Sequence, residues 1–212
     1  MTSMRAAGTG AAPTALMFKN QEKLMKRISL FAVLWSIQGF AIAQTAQVQQ
    51  PTFDYDYAEL RFVDTDRASG DGLRVNGSFE LQNNWLVVGG LTALDFSNNV
   101  DSTTFEIGGG YVHNYSMNWD LVGTARFVRV DVDTQFGGGD DNGFALSAGG
   151  RGWLMPQFEI RGSVNHINLD NSDTYLELAG DYHFNESFSA GLSLEFAGDD
   201  DVFTLGARWF FR

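Results

Sequence analysis

Apolar and polar residues alternate with a period of two along most of the chain after residue 44. In the closing stretch, "DVFTLGARWFFR", apolar side chains recur at every second position from Phe203 to Phe211. The positions between them are polar or glycine, except for Phe210. A period of two is that of a β-strand with two unlike faces. The alternation predicts ten strands, near residues 53–63, 72–81, 85–96, 103–113, 119–131, 143–154, 158–168, 174–184, 188–197 and 202–212.

Two kinds of connection separate these segments. Short polar turns end at an aromatic residue, as in "LQNNW", "YSMNW", "LMPQF" and "FNESF", whereas connections such as "DVDTQFGGGDDN" are acidic and rich in glycine, as solvated loops are. Consecutive hairpins give an up-and-down antiparallel meander, and an even strand number puts both termini on one side. We therefore predict an all-β, up-and-down antiparallel transmembrane β-barrel of about ten strands, with short periplasmic turns and longer acidic extracellular loops.

The two faces of the predicted strands differ in charge, but alternation alone does not say which face points inward. An export leader, aromatics beside the short turns and an aromatic final strand favour a membrane barrel. Segment 85–96 is apolar on both faces, so the pattern leaves its register open. The predicted interfacial aromatic girdle consists of Trp85, Trp119, Phe158, Phe188 and Trp209.

In a membrane barrel the charged face lines the lumen. Seven acids and six arginines lie on this face, and unpaired charges in a narrow lumen would be costly, so we expect them to pair with one another. The predicted lumen charge network consists of Glu59, Arg61, Arg74, Glu80, Glu106, Arg126, Arg151, Glu159, Arg161, Glu177, Asp181, Glu195 and Arg208. Arg208 near the end of the chain is expected to meet a carboxylate such as Glu59 on the first strand as the barrel closes.

The N-terminal region carries the features of a secretory signal peptide. Basic residues are followed by an apolar run, Ile28 to Phe40, and by an A-x-A cleavage site. The alternative, a membrane anchor, needs about 20 apolar residues, and this run is shorter. The predicted organisation is an extension without periodicity (1–24), a signal peptide (25–43) cleaved between Ala43 and Gln44, and a barrel domain (44–212).

Composition narrows the possible partners. The formal net charge is −12, and the barrel domain without residues 1–43, which hold five basic residues and one acid, carries −16. Such a polyanion is a poor nucleic-acid binder, because phosphate neutralisation needs clustered Lys or Arg. The chain has no cysteine, which excludes disulfides and cysteine-based metal sites.

The hairpins "DYAELRFV…DGLRVNGSFELQNNW" and "NWDLVGTARF", with the closing "GARWFF", resemble the small outer-membrane β-barrel proteins of Gram-negative bacteria, the OmpX-, Opa- and OmpW-like porin-fold superfamily. They look most similar to a branch of small barrels from xanthomonad-type bacteria. The resemblance covers about residues 53–212 and is specific for architecture rather than function, because it rests on alternation and turns. It implies a monomer, without a cofactor, in contact with outer-membrane lipid and lipopolysaccharide. It also implies that Phe211 is the terminal aromatic that the barrel-assembly machinery reads, although Arg212 departs from that pattern.

No motif in the sequence predicts catalysis. His113, His166 and His183 are scattered over three predicted strands, and no nucleophile–base motif is present, so we expect no enzyme. Ten-stranded outer-membrane proteases have strands that project beyond the membrane, and the strands predicted here are shorter. The acidic loops could hold Ca²⁺ or Mg²⁺, but calcium-loop spacing is missing, and solvated loops are the favoured interpretation.

Three functions remain open at the level of sequence. The favoured one is a structural or surface-interaction protein of the envelope with an occluded lumen, because barrels of this size are largely filled by side chains. The second is a narrow pore for small solutes or ions. The third is a soluble ligand-binding barrel of lipocalin type with its faces inverted.

Overall fold

Ten strands occupy nearly all of the chain that the computed structural model describes, which is residues 52–66, 70–97, 99–135, 137–198 and 200–211. The predicted extension, signal peptide, cleavage site and Arg212 lie outside the described residues. Within the described part, no helix is long and apolar enough to span a membrane. The strands are β1 (Tyr57–Thr65), β2 (Gly70–Glu80), β3 (Trp85–Phe96), β4 (Val100–Ser116), β5 (Trp119–Thr134), β6 (Gly137–Met155), β7 (Phe158–Asn168), β8 (Ser172–Asn185), β9 (Phe188–Ala197) and β10 (Asp200–Phe210).

The strands form one closed barrel, and the predicted fold class is confirmed. Each strand pairs antiparallel with its neighbour in sequence, and β1 pairs with β10 to close the ring. At this seam Glu59 lies opposite Arg208 and Leu60 lies opposite Ala207. Closure leaves no unpaired strand edge, which is the condition for a sheet to cross a bilayer.

Apolar side chains cover the outside of the barrel. Ile107 and Phe127 are 50% and 49% exposed although they lie in mid-strand, whereas the inward-facing Arg208 is 1% exposed. An apolar exterior around a charged interior is the reverse of a water-soluble barrel and is the arrangement of a transmembrane barrel. The chain is therefore an integral barrel of the outer membrane, the setting in which barrels of this layout occur.

The structure resolves the register of β3. Val87 and Leu91 face outward and remain exposed, while Leu86 and Val88 face the lumen. The strand is apolar on both faces because Leu86 packs inside the barrel against Tyr55, which precedes β1. The alternation within β3 could not show which face points inward, because Tyr55, against which the inner face packs, lies far away in the sequence.

Several strand boundaries differ from the sequence expectation, most clearly those of β1 and of β4–β6. β1 begins at Tyr57 rather than near residue 53, because Tyr57 is the first residue that pairs with both neighbouring strands, with Phe210 on β10 and with Ser78 on β2. β4, β5 and β6 have 17, 16 and 19 residues, more than the roughly 9–11 that a tilted strand needs to span a bilayer. Much of the stretch predicted as an acidic loop between β5 and β6 is thus strand. The contrast drawn with outer-membrane proteases that have projecting strands does not hold for these three.

Candidate functional site: the charged lumen

Glu59 is the point at which the lumen charges converge. Its Oε1 lies 2.7 Å from Arg61 Nη2 and 2.9 Å from Arg208 Nη2, and 3.8 Å from Nη2 of Arg161, which projects from the far wall on β7. Glu59 and Arg208 are buried, and the guanidinium of Arg208 also lies 4.3 Å from the centre of the Tyr57 ring. Charges taken out of water must be compensated by partners, and here several arginines share one carboxylate.

A second centre lies around Glu159 on β7. Arg151 binds it through two hydrogen bonds, Nε to Oε1 at 2.9 Å and Nη2 to Oε2 at 2.7 Å. This fork geometry is the strongest that an arginine and a carboxylate can form. His183 Nε2 lies 3.2 Å from the same carboxylate, and Arg208 Nη1 lies 3.9 Å from it, which links this centre to Glu59.

Asp181 joins the two centres from β8. Its Oδ2 accepts hydrogen bonds from Arg161, and its Oδ1 lies 3.5 Å from Arg61. The ion pairs therefore reach across the lumen rather than running along one wall. The ion pairs form one continuous network of side chains, the ion-pair bridge, in this part of the lumen.

Nearer the outer rim the charges form separate pairs. Arg74 binds Glu195, and Arg126 Nη1 donates to Glu106 Oε2 at 2.9 Å. Glu177 lies within electrostatic reach of Arg74. The remaining member of the predicted network, Glu80, lies at the periplasmic end instead, where its backbone N–H donates to Asp56 Oδ1 at 2.6 Å.

Residues 52–56, here called the strap, fold into the periplasmic end of the lumen instead of extending β1. The Tyr55 hydroxyl donates to Asp120 Oδ2 at 2.8 Å, and Arg151 Nη1 donates to the Asp54 carbonyl at 3.1 Å. The Arg151 guanidinium also lies 4.9 Å and 4.6 Å from the ring centres of Phe53 and Tyr55. Burial raises the pKa of the Tyr55 phenol above its usual value, so the hydroxyl stays protonated and remains a donor.

A chain of aromatic rings packs beside the strap at this end of the lumen. Phe53 stacks on Trp153 at 5.7 Å between ring centres, Trp153 lies 4.6 Å from His183, and His183 lies 5.3 Å from Phe210. The chain of rings explains why Phe210 breaks the outward alternation of the last strand. Its side chain is part of the lumen floor.

Two cavities lie on either side of the strap. The upper cavity, of about 440 Å³, runs from Tyr55 toward Asp173 near the outer rim. The lower one, of about 230 Å³, is lined by Glu80 and Asp120 among others. Among the described residues, Tyr55 alone lines both cavities. Tyr55 therefore lies at the boundary between the two cavities, where it packs with Leu86, which lines the upper cavity, and Val112, which lines the lower one.

The aromatic residues predicted as a girdle lie beside the short turns on the outside of the barrel. Trp85 and Trp209 are 56% and 61% exposed, and Trp119 packs over Gly152 on β6, where a Cβ would come within 2.6 Å of the indole. Gly152 thus makes room for this ring. The other two girdle residues, Phe158 and Phe188, begin β7 and β9, and Phe211 lies just beyond β10.

The remaining sequence candidates do not converge. His113 is exposed on β4, and His166 Nδ1 lies 2.9 Å from Thr174 Oγ1, far in sequence from the His183 site. Acidic residues form an outward-facing row at the outer rim, but in the described part of the chain no group of His, Asp or Glu could hold a metal ion. The members of that row, paired in register on neighbouring strands, are Asp64, Asp71, Asp95, Asp101 and Asp133.

The strap residues and Asp120 were not among the residues predicted from the sequence. A signal for them was present: Phe53 and Tyr55 share the odd-numbered, lumen-facing phase of Tyr57, Glu59 and Arg61. Aromatics on the charged phase of a strand must be buried inside the barrel, whereas those of the opposite phase face lipid.

No protein-family model matches the chain, and no curated protein matches it. Similar solved structures include the KdgM porin in complex with disordered oligogalacturonate, at 10% identity over 74% of this chain and 99% of that chain with a TM-score of 0.47. The NanC porin is 10% identical over 73% and 100% (TM-score 0.49), and an outer-membrane channel from Pseudomonas putida F1 is 8% identical over 80% and 100% (TM-score 0.49). At such identities and scores the likeness carries nothing beyond the fold, which the closed ten-stranded barrel establishes by itself.

Proposed function

We propose that the chain is a closed outer-membrane barrel that acts in envelope structure or surface interaction. Its resting lumen does not conduct, and we assign it no catalytic residue. Its partners are outer-membrane lipid and lipopolysaccharide outside the barrel, and the barrel-assembly machinery, which would read Phe211. It works as a monomer, since one chain closes the ring of strands by itself.

The observation that carries this proposal is the bridge of ion pairs across the lumen. Glu59 receives Arg61 and Arg208 from the seam and faces Arg161 from β7, so one carboxylate connects opposite walls. Moving these charges aside would leave buried ions without partners, at a cost of several kcal/mol. The bridge is therefore a fixed part of the closed barrel.

Planar-bilayer recording of the refolded chain tests the closed state. We expect no steady channel openings from the wild type, because the ion-pair bridge crosses the lumen and the strap lies in its periplasmic end. Refolding is verified by a gel band whose mobility changes on boiling. Steady openings from chain verified in this way would overturn the proposed closure.

One observation supports the second candidate, a narrow pore. The upper cavity is large enough for a small solute and is lined by the Arg126–Glu106 pair, which is only partly buried. The third candidate, a soluble lipocalin-like barrel, is disfavoured by the exposed apolar belt, which would aggregate in water. Similarity to the xanthomonad-type branch stays a prediction.

A further inference from the structure

The two cavities are aligned along one side of the lumen. The ion-pair bridge crosses the lumen from β1 and β10 to β7 and β8, whereas β3, β5 and β6 carry small residues where the upper cavity descends beside the bridge. We call this side the small-residue wall, defined by Gly90, Thr124, Ser147 and Gly149. Thr124 and Ser147 hydroxyls lie 2.7 Å apart across β5 and β6, so their polar groups satisfy each other and leave the space beside them open.

At its periplasmic end this open space meets the strap. Tyr55 packs against Leu86 and Val112 at the foot of the wall, and Asp120 holds its hydroxyl at 2.8 Å. The ring lies at the boundary between the two cavities, and it belongs to a segment that is not paired as strand. Displacing one side chain would join the cavities without breaking the ion-pair bridge or the β-ladder.

We propose that the barrel contains a latent path for small cations, which runs along the small-residue wall and is closed by Tyr55. This proposal rests on the proposed function, because Tyr55 is the point at which the closed resting state would open. Below the ring, Glu80 and Asp120 line the lower cavity, and Asp56 contacts the backbone N–H of Glu80. The upper cavity is lined by six arginines and five carboxylates, whose charges nearly balance, so the carboxylates of the lower cavity decide the selectivity of the path. Carboxylates around a mouth favour cations over anions.

The strap is suited to act as a gate because its backbone and the Tyr55 side chain are held by different contacts. Asp54 is held through its backbone carbonyl by Arg151, and Phe53 is held by stacking on Trp153. The Tyr55 ring is held by one side-chain hydrogen bond, by apolar packing and by the Arg151 guanidinium 4.6 Å from its centre. A substitution at Tyr55 therefore changes the closure while leaving the backbone anchor in place.

Single-channel recording of the full chain with Tyr55→Ala tests the path. We expect resolved openings in the variant and none in the wild type. Under a potassium chloride gradient we also expect a reversal potential shifted toward the value for potassium. Tyr182→Ala is the matched control, because it removes a tyrosine that faces lipid and is 48% exposed. This control is expected to stay silent.

The outcomes separate the gate from the closed state. A silent wild type with a silent, correctly folded Tyr55→Ala variant would overturn the path and leave the proposed function standing. A wild type and variant that conduct equally would overturn both. Openings in the variant that select chloride would overturn the cation path. If Tyr55→Ala does not fold, Tyr55→Leu carries the test: it keeps apolar packing against Leu86 and Val112 but removes the aromatic ring. Openings are expected, and a silent, correctly folded Tyr55→Leu would overturn the path.

Discussion

Glu59 shows how one side chain can organise a lumen. It lies on the first strand, pairs with Arg208 on the last and reaches toward Arg161 on β7. Asn76 adds a hydrogen bond to Oε2 at 3.3 Å. Removing this carboxylate would leave several guanidiniums buried without their common partner. Removal of one member of a buried ion pair strongly destabilises a folded protein, because an uncompensated charge stays buried.

We therefore expect Glu59→Gln to lower the free energy of unfolding by about 3–5 kcal/mol. Urea unfolding in lipid vesicles measures the change. The matched control is Glu106→Gln, which breaks a single pair whose side chains are 24% and 21% exposed and should cost far less. Equal effects of the two substitutions would show that Glu59 has no special place in the lumen.

Much of the residue-scale arrangement could be predicted from the sequence, and the limits have physical causes. The alternation places Glu59 and Arg208 on one phase, and the proximity of the chain ends in a closed barrel makes their pairing expected. Which further arginines reach Glu59 depends on how strands β1 and β7 face each other across the lumen, which no local pattern encodes. The strap was read as strand because Phe53 and Tyr55 continue the period of two beyond the last pairing partner.

At the scale of elements, the seam between β1 and β10 differs from the other strand pairs because its two strands come from opposite ends of the chain. Nine residue pairs run in register from Tyr57–Phe210 to Thr65–Val202. Strand 188–197 was predicted with its observed limits, since turns flank it closely on both sides. The ends of β4–β6 were not, because glycine and aspartate favour loops locally and cross-strand pairing overrides that preference.

A disulfide across the seam tests this register in a chain that has no native cysteine. Leu60→Cys with Ala207→Cys places two thiols directly opposite, where Cα atoms about 4.5–5.5 Å apart are within the range of a disulfide. We expect rapid oxidation and a changed gel mobility after boiling without reductant. Leu60→Cys with Ala190→Cys, one strand further, is the control that should not cross-link; cross-linking there and not at 207 would contradict the seam.

At the scale of the whole molecule, the barrel presents an apolar belt to lipid on its outside and buries charged side chains in its lumen. Ile107 lies in the belt on β4, and Thr103 lies on the same face of the same strand nearer the outer rim. The cost of a charge on the lipid face depends on its depth, being largest at the bilayer midplane. The depth of a residue in the bilayer can therefore be inferred from the change in unfolding free energy that a charged substitution at that residue causes.

Ile107→Arg should destabilise the folded barrel by about 2–4 kcal/mol, and Thr103→Arg by about 0–1 kcal/mol. Unfolding titrations in vesicles of defined thickness provide the comparison. A larger penalty at Thr103 than at Ile107 would mean that the belt lies elsewhere on the barrel.

The closing seam also has a consequence for how the chain folds. The contacts that unite the lumen join residues very far apart in sequence, with separations of 149 positions for Glu59 and Arg208 and 143 for Arg61 and Thr204. Contacts of such high sequence separation form late, because the entropy of closing a long loop is lost before they contribute. Until the ends meet, Glu59 and Arg208 must remain hydrated. Burial of the central charges and completion of the ring are thus one cooperative event, and an incompletely closed barrel would gain little of the final stability.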